Sequence, residues 1–412
     1  MKTERFPLGF WNYVAADQQH PADVQDWADC GITLTMSAEY VDGRSDKANF
    51  LATLDACQEK GIRIIVCDSR GRWPGASTDE AGFRARFAQA LEDFGGHPAV
   101  FGFHVGDEPH DPLGLADAKA ACRIEKEMAP HLTPFLNHLP FFPHIVDRLC
   151  PGRTYDAFLA EFAQEARLDM FSYDCYAQMN EGDAGVEQYF ANLYTFGKAA
   201  HQAGIPLWNT VLSVGHFKYR CPSEDDLRWQ LFTSLACGCR AIMWFFFYMR
   251  EPHVNYRIAP IDEHGERTAT YTSMSRIHRT FLKREAEAMN GLTLDRVFHV
   301  NRAYGGFPLF VEYTDPLVAY VRTSDHTPAI YSVYHDEAGR TYFSVVNNSV
   351  KESLHVDTLV RGEPRIFRVD FGPRETELTD VQWGDAAFGR EEGGSRISTW
   401  LAPGQMELYR VE

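Results

Sequence analysis

Ala99-Val-Phe-Gly-Phe-His-Val-Gly-Asp-Glu-Pro109 decides how the rest of the chain is read. Period-two alternation puts Phe101, Phe103 and Val105 on one face of a strand and Gly102, His104, Gly106 and Glu108 on the other. An apolar face and a small or polar face suit a barrel strand, with the apolar side against outer helices and the other lining the interior. Pro109 has no N–H to continue the ladder, so the strand ends there. Glu108 is then the last inward residue, at the carboxyl end of the strand, where α/β-barrel sites lie. The same alternation turns Asp107 outward, into a supporting position.

Seven further strand-like segments surround this one. Phe6–Tyr13, Ile32–Glu39 and Ile62–Asp68 precede it. Leu132–Leu139, Leu168–Tyr176, Pro206–Val211 and Cys239–Tyr248 follow. Helical patterns between them stop at Gly61, Gly95-Gly96, Gly204 and Gly238, and Ser223 with Asp226 three residues on marks a helix start. Eight βα units in about 290 residues predict a (β/α)8 TIM barrel over residues 1–291. The last helical pattern ends at Asn290-Gly291, after which segments are short, β-rich and separated by turns. Ile330–Tyr334 and Tyr342–Val346 flank His335-Asp-Glu-Ala-Gly-Arg340 as a hairpin, and Ile366–Phe371 and Met406–Val411 are further strands. Residues 292–412 are therefore expected to form a small antiparallel β-sandwich domain.

The 412 residues are 45% hydrophobic and 13% aromatic, enough to bury a large core and a small one. A formal charge of −17 argues against nucleic acid or an anionic membrane surface as partner. Met-Lys-Thr-Glu-Arg-Phe-Pro carries no apolar h-region, so a cytoplasmic location is expected. No apolar run reaches the roughly 18 residues of a membrane-spanning helix. Nine scattered cysteines, with Cys237 and Cys239 lacking a second pair at zinc-ribbon spacing, read as reduced thiols. No metal and no cofactor are expected, and a homo-oligomer is left open.

The carboxyl ends of the strands collect Trp11, Glu39, Asp68, Asp107, Glu108, Asn137, His138, Asp174, Tyr176, Trp208, Asn209, His216 and Trp244. Carboxylates among flat aromatic rings are what a small carbohydrate needs: rings stack on C–H faces while carboxylates and amides hold hydroxyls. Cleaving an acetal needs a carboxyl group as proton donor and a second group to stabilise the oxocarbenium ion. Glu108, Asp174 and Asp107 are the candidates for that work. His104, by contrast, reads as a satisfied interior histidine, and Trp244 with Phe245-Phe246-Phe247 reads equally well as barrel core.

Gly102–Pro109 resembles the fourth-strand motif of the large retaining clan of (β/α)8 glycoside hydrolases, where Asn-Glu-Pro carries the general acid/base; here Asp107 replaces the Asn. Arg220-Cys-Pro-Ser-Glu-Asp-Asp-Leu-Arg-Trp-Gln230 through Ala236-Cys-Gly-Cys-Arg-Ala-Ile-Met-Trp244 is similar to the seventh helix and eighth strand of bacterial barrel glycosidases. Leu401-Ala-Pro-Gly-Gln-Met-Glu-Leu-Tyr409 looks like the closing strand of their sandwich domain. The resemblance implies a glycosidase of small oligosaccharides or glycosides, with Glu108 as general acid/base. One departure matters. The clan's nucleophilic Glu ends strand seven, yet Pro206-Leu-Trp-Asn-Thr-Val-Leu-Ser-Val-Gly-His216 contains no carboxylate.

Three groups could replace it. Asp174 is favoured, with Tyr176 hydrogen-bonding it and keeping it ionised while burial keeps Glu108 protonated. Alternatively the substrate supplies its own nucleophile, since an Asp107-Glu108 pair resembles substrate-assisted β-N-acetylhexosaminidases; this needs Asp107 inward, which alternation opposes. Third, Glu39 or Glu251 could enter from its loop. Two other classes compete with hydrolysis. A metal-dependent sugar isomerase or lyase could use Glu39, Asp68, Asp107, Glu108 and Asp174 as oxygen ligands, although a two-histidine-plus-carboxylate spacing and a Schiff-base lysine are both missing. A non-catalytic sugar-binding barrel is the other.

Overall fold

The structure is a computed structural model that describes residues 4–14, 16–249, 255–371, 375–379, 382–383 and 386–412; Glu251 lies outside them. By contacts the chain forms two compact units, one of Met1–Cys221 with Cys239–His278 and one of Pro222–Gly238 with Arg279–Glu412.

The first unit carries eight parallel strands: β1 (Leu8–Phe10), β2 (Leu34–Tyr40), β3 (Arg63–Asp68), β4 (Val100–Asp107), β5 (Thr133–His138), β6 (Phe171–Asp174), β7 (Leu207–Leu212) and β8 (Cys239–Phe245). From β2 to β8 each strand pairs with its sequence neighbour, and β1 pairs with β8, so that β1 and β2 are the two ends that the barrel brings together. Between β1 and β2 the closure is made partly by side chains. Thr33 Oγ1 accepts from the Leu8 N–H at 2.9 Å and donates to Phe6 O at 2.6 Å. Thr35 Oγ1 accepts from the Phe10 N–H at 3.0 Å. Gly9 permits this approach, since a Cβ there would lie 2.0 Å from Leu34 O. Gly9→Ala is therefore expected to destabilise the protein by about 2–3 kcal/mol or more, by forcing a backbone shift in a packed seam. A lowered denaturant midpoint at unchanged slope checks this.

Helices α1 (Val24–Asp29), α2 (Lys47–Glu59), α3 (Glu80–Ala90), α4 (Pro112–Met128), α5 (Pro143–Leu149), α6 (Tyr155–Ala166) and α7 (Asp183–Ala203) alternate with the strands. Leu34, Met36, Ile65, Phe101, Phe135, Trp208 and Met243 fill the barrel interior as one buried cluster. Phe101 belongs there, contrary to the expected outward face: it stacks on Trp208 at 5.7 Å, while Phe103 faces out against Phe87 of α3 at 5.2 Å. Two bulges on β4 explain the difference. Ile64 and Ile65 of β3 pair with Val100 and Gly102, which makes Phe101 the extra residue. Phe135 and Leu136 of β5 pair with His104 and Gly106, which makes Val105 extra. Each bulge resets which face the following residues occupy.

In the second unit, helix α8 (Glu224–Ala236) starts on the reciprocal cap of Ser223 and Asp226. Two antiparallel sheets accompany it, comprising β9 (Thr293–Val300), β10 (Val318–Thr323), β11 (Ala329–His335), β12 (Thr341–Asn347), β13 (Leu354–Arg361), β14 (Ile366–Val369), β15 (Glu375–Glu377), β16 (Gln382–Trp383), β17 (Ala386–Glu391), β18 (Gly394–Leu401) and β19 (Met406–Val411). Five strands run in the order β10-β13-β18-β17-β16 and six in the order β15-β14-β19-β12-β11-β9. Tyr331, Val333, Phe343, Val345, Val318, Val356, Val360 and Leu401 share the core of this sandwich. The β11–β12 hairpin turns at Asp336, whose Oδ1 accepts from the Ala338 and Arg340 N–H groups.

Candidate active site

Three carboxyl groups meet at the carboxyl ends of β4 and β6. Gly106, at φ 156°, ends the second bulge beneath the Trp73 ring, which a Cβ at Gly106 would meet at 2.2 Å. The bulge brings Asp107 into the cluster, correcting the outward placement that regular alternation gives. Asn137, buried at the end of β5, donates from Nδ2 to Asp107 Oδ1 at 3.0 Å and to Asp174 Oδ1 at 2.7 Å. Its own Oδ1 accepts from Ser172 Oγ at 2.9 Å, which fixes the amide's orientation. Glu108 follows at φ 49°, a left-handed conformation uncommon for a non-glycine residue, with its N–H donating to Asn137 O at 2.9 Å. Its carboxyl and that of Asp174 lie near enough to act on each other electrostatically, and Tyr176 lies beside Asp174.

Burial, and then the neighbouring charge of Asp107, push the Glu108 carboxyl up to about 7. Burial, Glu108 and Asp107 hold Asp174 well above the usual carboxylate range, outweighing the Asn137 and Tyr176 side chains that favour its ionised form. The surroundings thus oppose the expected ionised Asp174: both groups resist ionisation. Such a pair holds its protons jointly. Asp107, exposed on the solvent side, is also raised by its protein surroundings, with Asn137 and the nearby Arg72 guanidinium pulling the other way.

Arg72 enters from the loop after β3 and donates from Nη1 to His104 Nδ1 at 2.8 Å. His104 is buried against Trp11 and Phe135, and burial together with the Arg72 charge keeps it neutral. With Nδ1 as acceptor, its proton sits on Nε2. His104 is thus an interior residue, as its place mid-strand suggests.

The remaining candidates separate into three groups. Tyr176 and His216 reach the cluster's surroundings and face Phe245 and Tyr219, and Phe245 in turn meets Tyr13. Trp11 and Trp208 are inward but lie in the packed interior, 3% and 2% exposed, with Trp11 Nε1 donating to Thr210 Oγ1. Asp68, His138, Asn209 and Trp244 face away from the interior. Asp68 holds Arg70 through both carboxylate oxygens, and Arg70 continues to Asp93 and lies over Tyr40. His138 packs against Phe162 of α6 and Phe196 of α7, and burial lowers it to about 4. Asn209 pairs in register with outward-facing Tyr173. Trp244 donates from Nε1 to His278 Nε2 at 2.8 Å and is fully buried. Glu39 is exposed at the end of β2, and no hydrogen bond joins it to the three carboxyl groups among the described residues.

Sequence reasoning overlooked Tyr13, Arg72, Tyr219 and Tyr256, and read Phe245 as barrel core. Among the described residues no group of three or more His, Cys, Asp or Glu is placed to hold a metal ion, and no helix is long and apolar enough to cross a membrane.

Several glycoside hydrolases of known structure are similar to this chain. A family 39 glycoside hydrolase from the gut symbiont Bacteroides cellulosilyticus WH2 matches with a TM-score of 0.52 at 11% identity, over 99% of this chain and 81% of that one. The β-galactosidase of Rahnella sp. R3 matches with a TM-score of 0.54 at 12% identity, over 72% of this chain and 58% of that one. That of the psychrophilic Marinomonas ef1 gives 0.51 at 11% identity, over 66% and 59%. The chain therefore spans less than two thirds of the length of either β-galactosidase. No protein-family profile matches the sequence, and no curated protein does. At these identities the likeness establishes the architecture: a (β/α)8 barrel with antiparallel β-sheets, shared with glycoside hydrolases.

Proposed function

We propose that this chain is a glycoside hydrolase whose proton donor is Glu108 and whose second carboxyl group is Asp174. The observation that carries the reading is the meeting of Glu108, Asp107 and Asp174 at the carboxyl ends of β4 and β6, with Asn137 donating to both aspartates and the charges of the three groups acting on one another. Three adjacent carboxyls cannot all ionise cheaply, so a proton stays with the pair near neutral pH. Glu108 gives that proton to the glycosidic oxygen and becomes a carboxylate in turn, facing an Asp174 that is already one. Asn137 and Tyr176 then stabilise that charge as the sugar becomes an oxocarbenium-like centre.

The inward Asp107 favours a second reading. It occupies the position from which a carboxylate would orient a 2-acetamido group, in which case the substrate supplies the nucleophile and Asp107-Glu108 is the working pair. Release of nitrophenol from a panel of 4-nitrophenyl hexosides, pentosides and N-acetylhexosaminides, in the presence of a chelator, tests the hydrolase reading. Turnover of at least one sugar is expected. Turnover abolished by the chelator would favour the metal-dependent alternative, and sugar binding without turnover a lectin-like barrel.

A further inference from the structure

Beyond the carboxyl groups runs a surface of rings that bond cleavage does not require. Tyr176 stacks on Phe245 at 5.2 Å and meets His216 and Tyr219 edge-on at 5.8 and 5.9 Å. His216 in turn lies 5.1 Å from Phe217 and 5.4 Å from Tyr256. Exposure rises along this path. Tyr176 and His216 are buried, Phe245, Tyr219 and Tyr256 are half-buried, and Phe217 is 58% exposed, as is Ile258 at 51%. The rings thus descend from an apolar rim to Tyr176, beside Asp174.

The loops after β7 and β8 hold these rings by turning their own polar groups inward. Gly215 and Arg257 exchange both main-chain hydrogen bonds, at 3.0 and 2.8 Å. Arg257 donates from Nη1 to Asn255 O and from Nη2 to Tyr219 O. The Asn255 side chain accepts from the Phe217 N–H at 2.7 Å and donates to Phe217 O at 3.0 Å. Phe217 is pinned at φ 46° and Ile258 at φ 53°, positions that a bulky residue keeps only when its surroundings enforce them. The guanidinium and amide that could have read sugar hydroxyls are spent on backbone, and the faces left over are rings and an aliphatic side chain.

A flat apolar group in this place would stack on the rings. We infer that this ring surface takes a planar, apolar aglycone, with Phe217 as its outer platform, so that aryl glycosides are the substrate class. The inference deepens the hydrolase reading and rests on it.

The test compares, for one sugar, kcat/KM on its 2-naphthyl glycoside with kcat/KM on its glycosyl fluoride, and separately measures binding of free 2-naphthol to the Glu108→Gln protein by fluorescence. In Phe217→Ala the naphthyl-to-fluoride ratio is expected to fall at least about tenfold, the size of one lost apolar stacking contact, and to recover in Phe217→Tyr. Naphthol affinity, measured with each Phe217 substitution added to Glu108→Gln, should follow the same order. Cleavage with an unchanged ratio and unchanged naphthol affinity in Phe217→Ala overturns the aglycone site and leaves the hydrolase standing. Phe217-dependent naphthol binding without cleavage of any glycoside supports the site and overturns the hydrolase.

Discussion

Glu108→Gln is expected to slow hydrolysis of an unactivated glycoside by at least about 10²-fold, because a positioned general acid contributes about 10²–10⁴. The amide is nearly isosteric, so the fold should persist and the thermal midpoint should not fall. The loss should shrink on a substrate whose leaving group needs no proton, such as a glycosyl fluoride. That split separates a lost proton donor from a disturbed site, since disturbance would penalise both substrates alike. Wild-type rates on the unactivated glycoside would remove Glu108 from the mechanism.

The second large effect distinguishes the two readings of the remaining carboxyl groups. If Asp174 is the partner of Glu108, Asp174→Asn should cut kcat/KM on plain hexosides by at least about 10²-fold, while Asp107→Asn costs less, since Asp107 meets Asp174 only through Asn137. The substitution also keeps the Asn137 amide hydrogen-bonded, so the cluster retains its shape. If the substrate supplies the nucleophile, activity is confined to N-acetylhexosaminides, is lost in Asp107→Asn and is spared in Asp174→Asn. A steady-state comparison of both variants on the nitrophenyl panel decides between them.

The barrel was legible because its helical patterns stop at glycines and its strands alternate, and Glu108 was legible because Pro109 marks where β4 ends. The facing of β4 was not, because two bulges intervene. Their signal was present: glycines inside a strand mark bulges and close approaches, and a Cβ at Gly102 would lie 1.8 Å from Thr133 O. Reading Gly102 and Gly106 that way would have placed Phe101 in the core and Asp107 in the site. Helix α6 escaped notice for a different reason. It follows Thr154, a usual N-cap residue that makes no side-chain cap here, and ends on Arg167 at φ 54° where a glycine is usual, so its end carries no customary stop. The ring surface was missed because Tyr219 and Tyr256 sit on loops, where no periodicity reports which way a side chain faces.

Electrostatics gives the account its most direct test. Glu108 must be protonated to donate, and burial with the Asp107 charge puts its carboxyl at about 7, so activity should be lost as pH rises through that value. The measurement is kcat/KM against pH on the best glycoside of the panel, for the wild type, Asp107→Asn and Glu108→Gln. The account predicts an alkaline limb near pH 7 in the wild type, moved to lower pH when the Asp107 charge is removed, and absent from the residual activity of Glu108→Gln. An alkaline limb that survives unchanged in Glu108→Gln, or turnover that climbs steadily above pH 7, would contradict it.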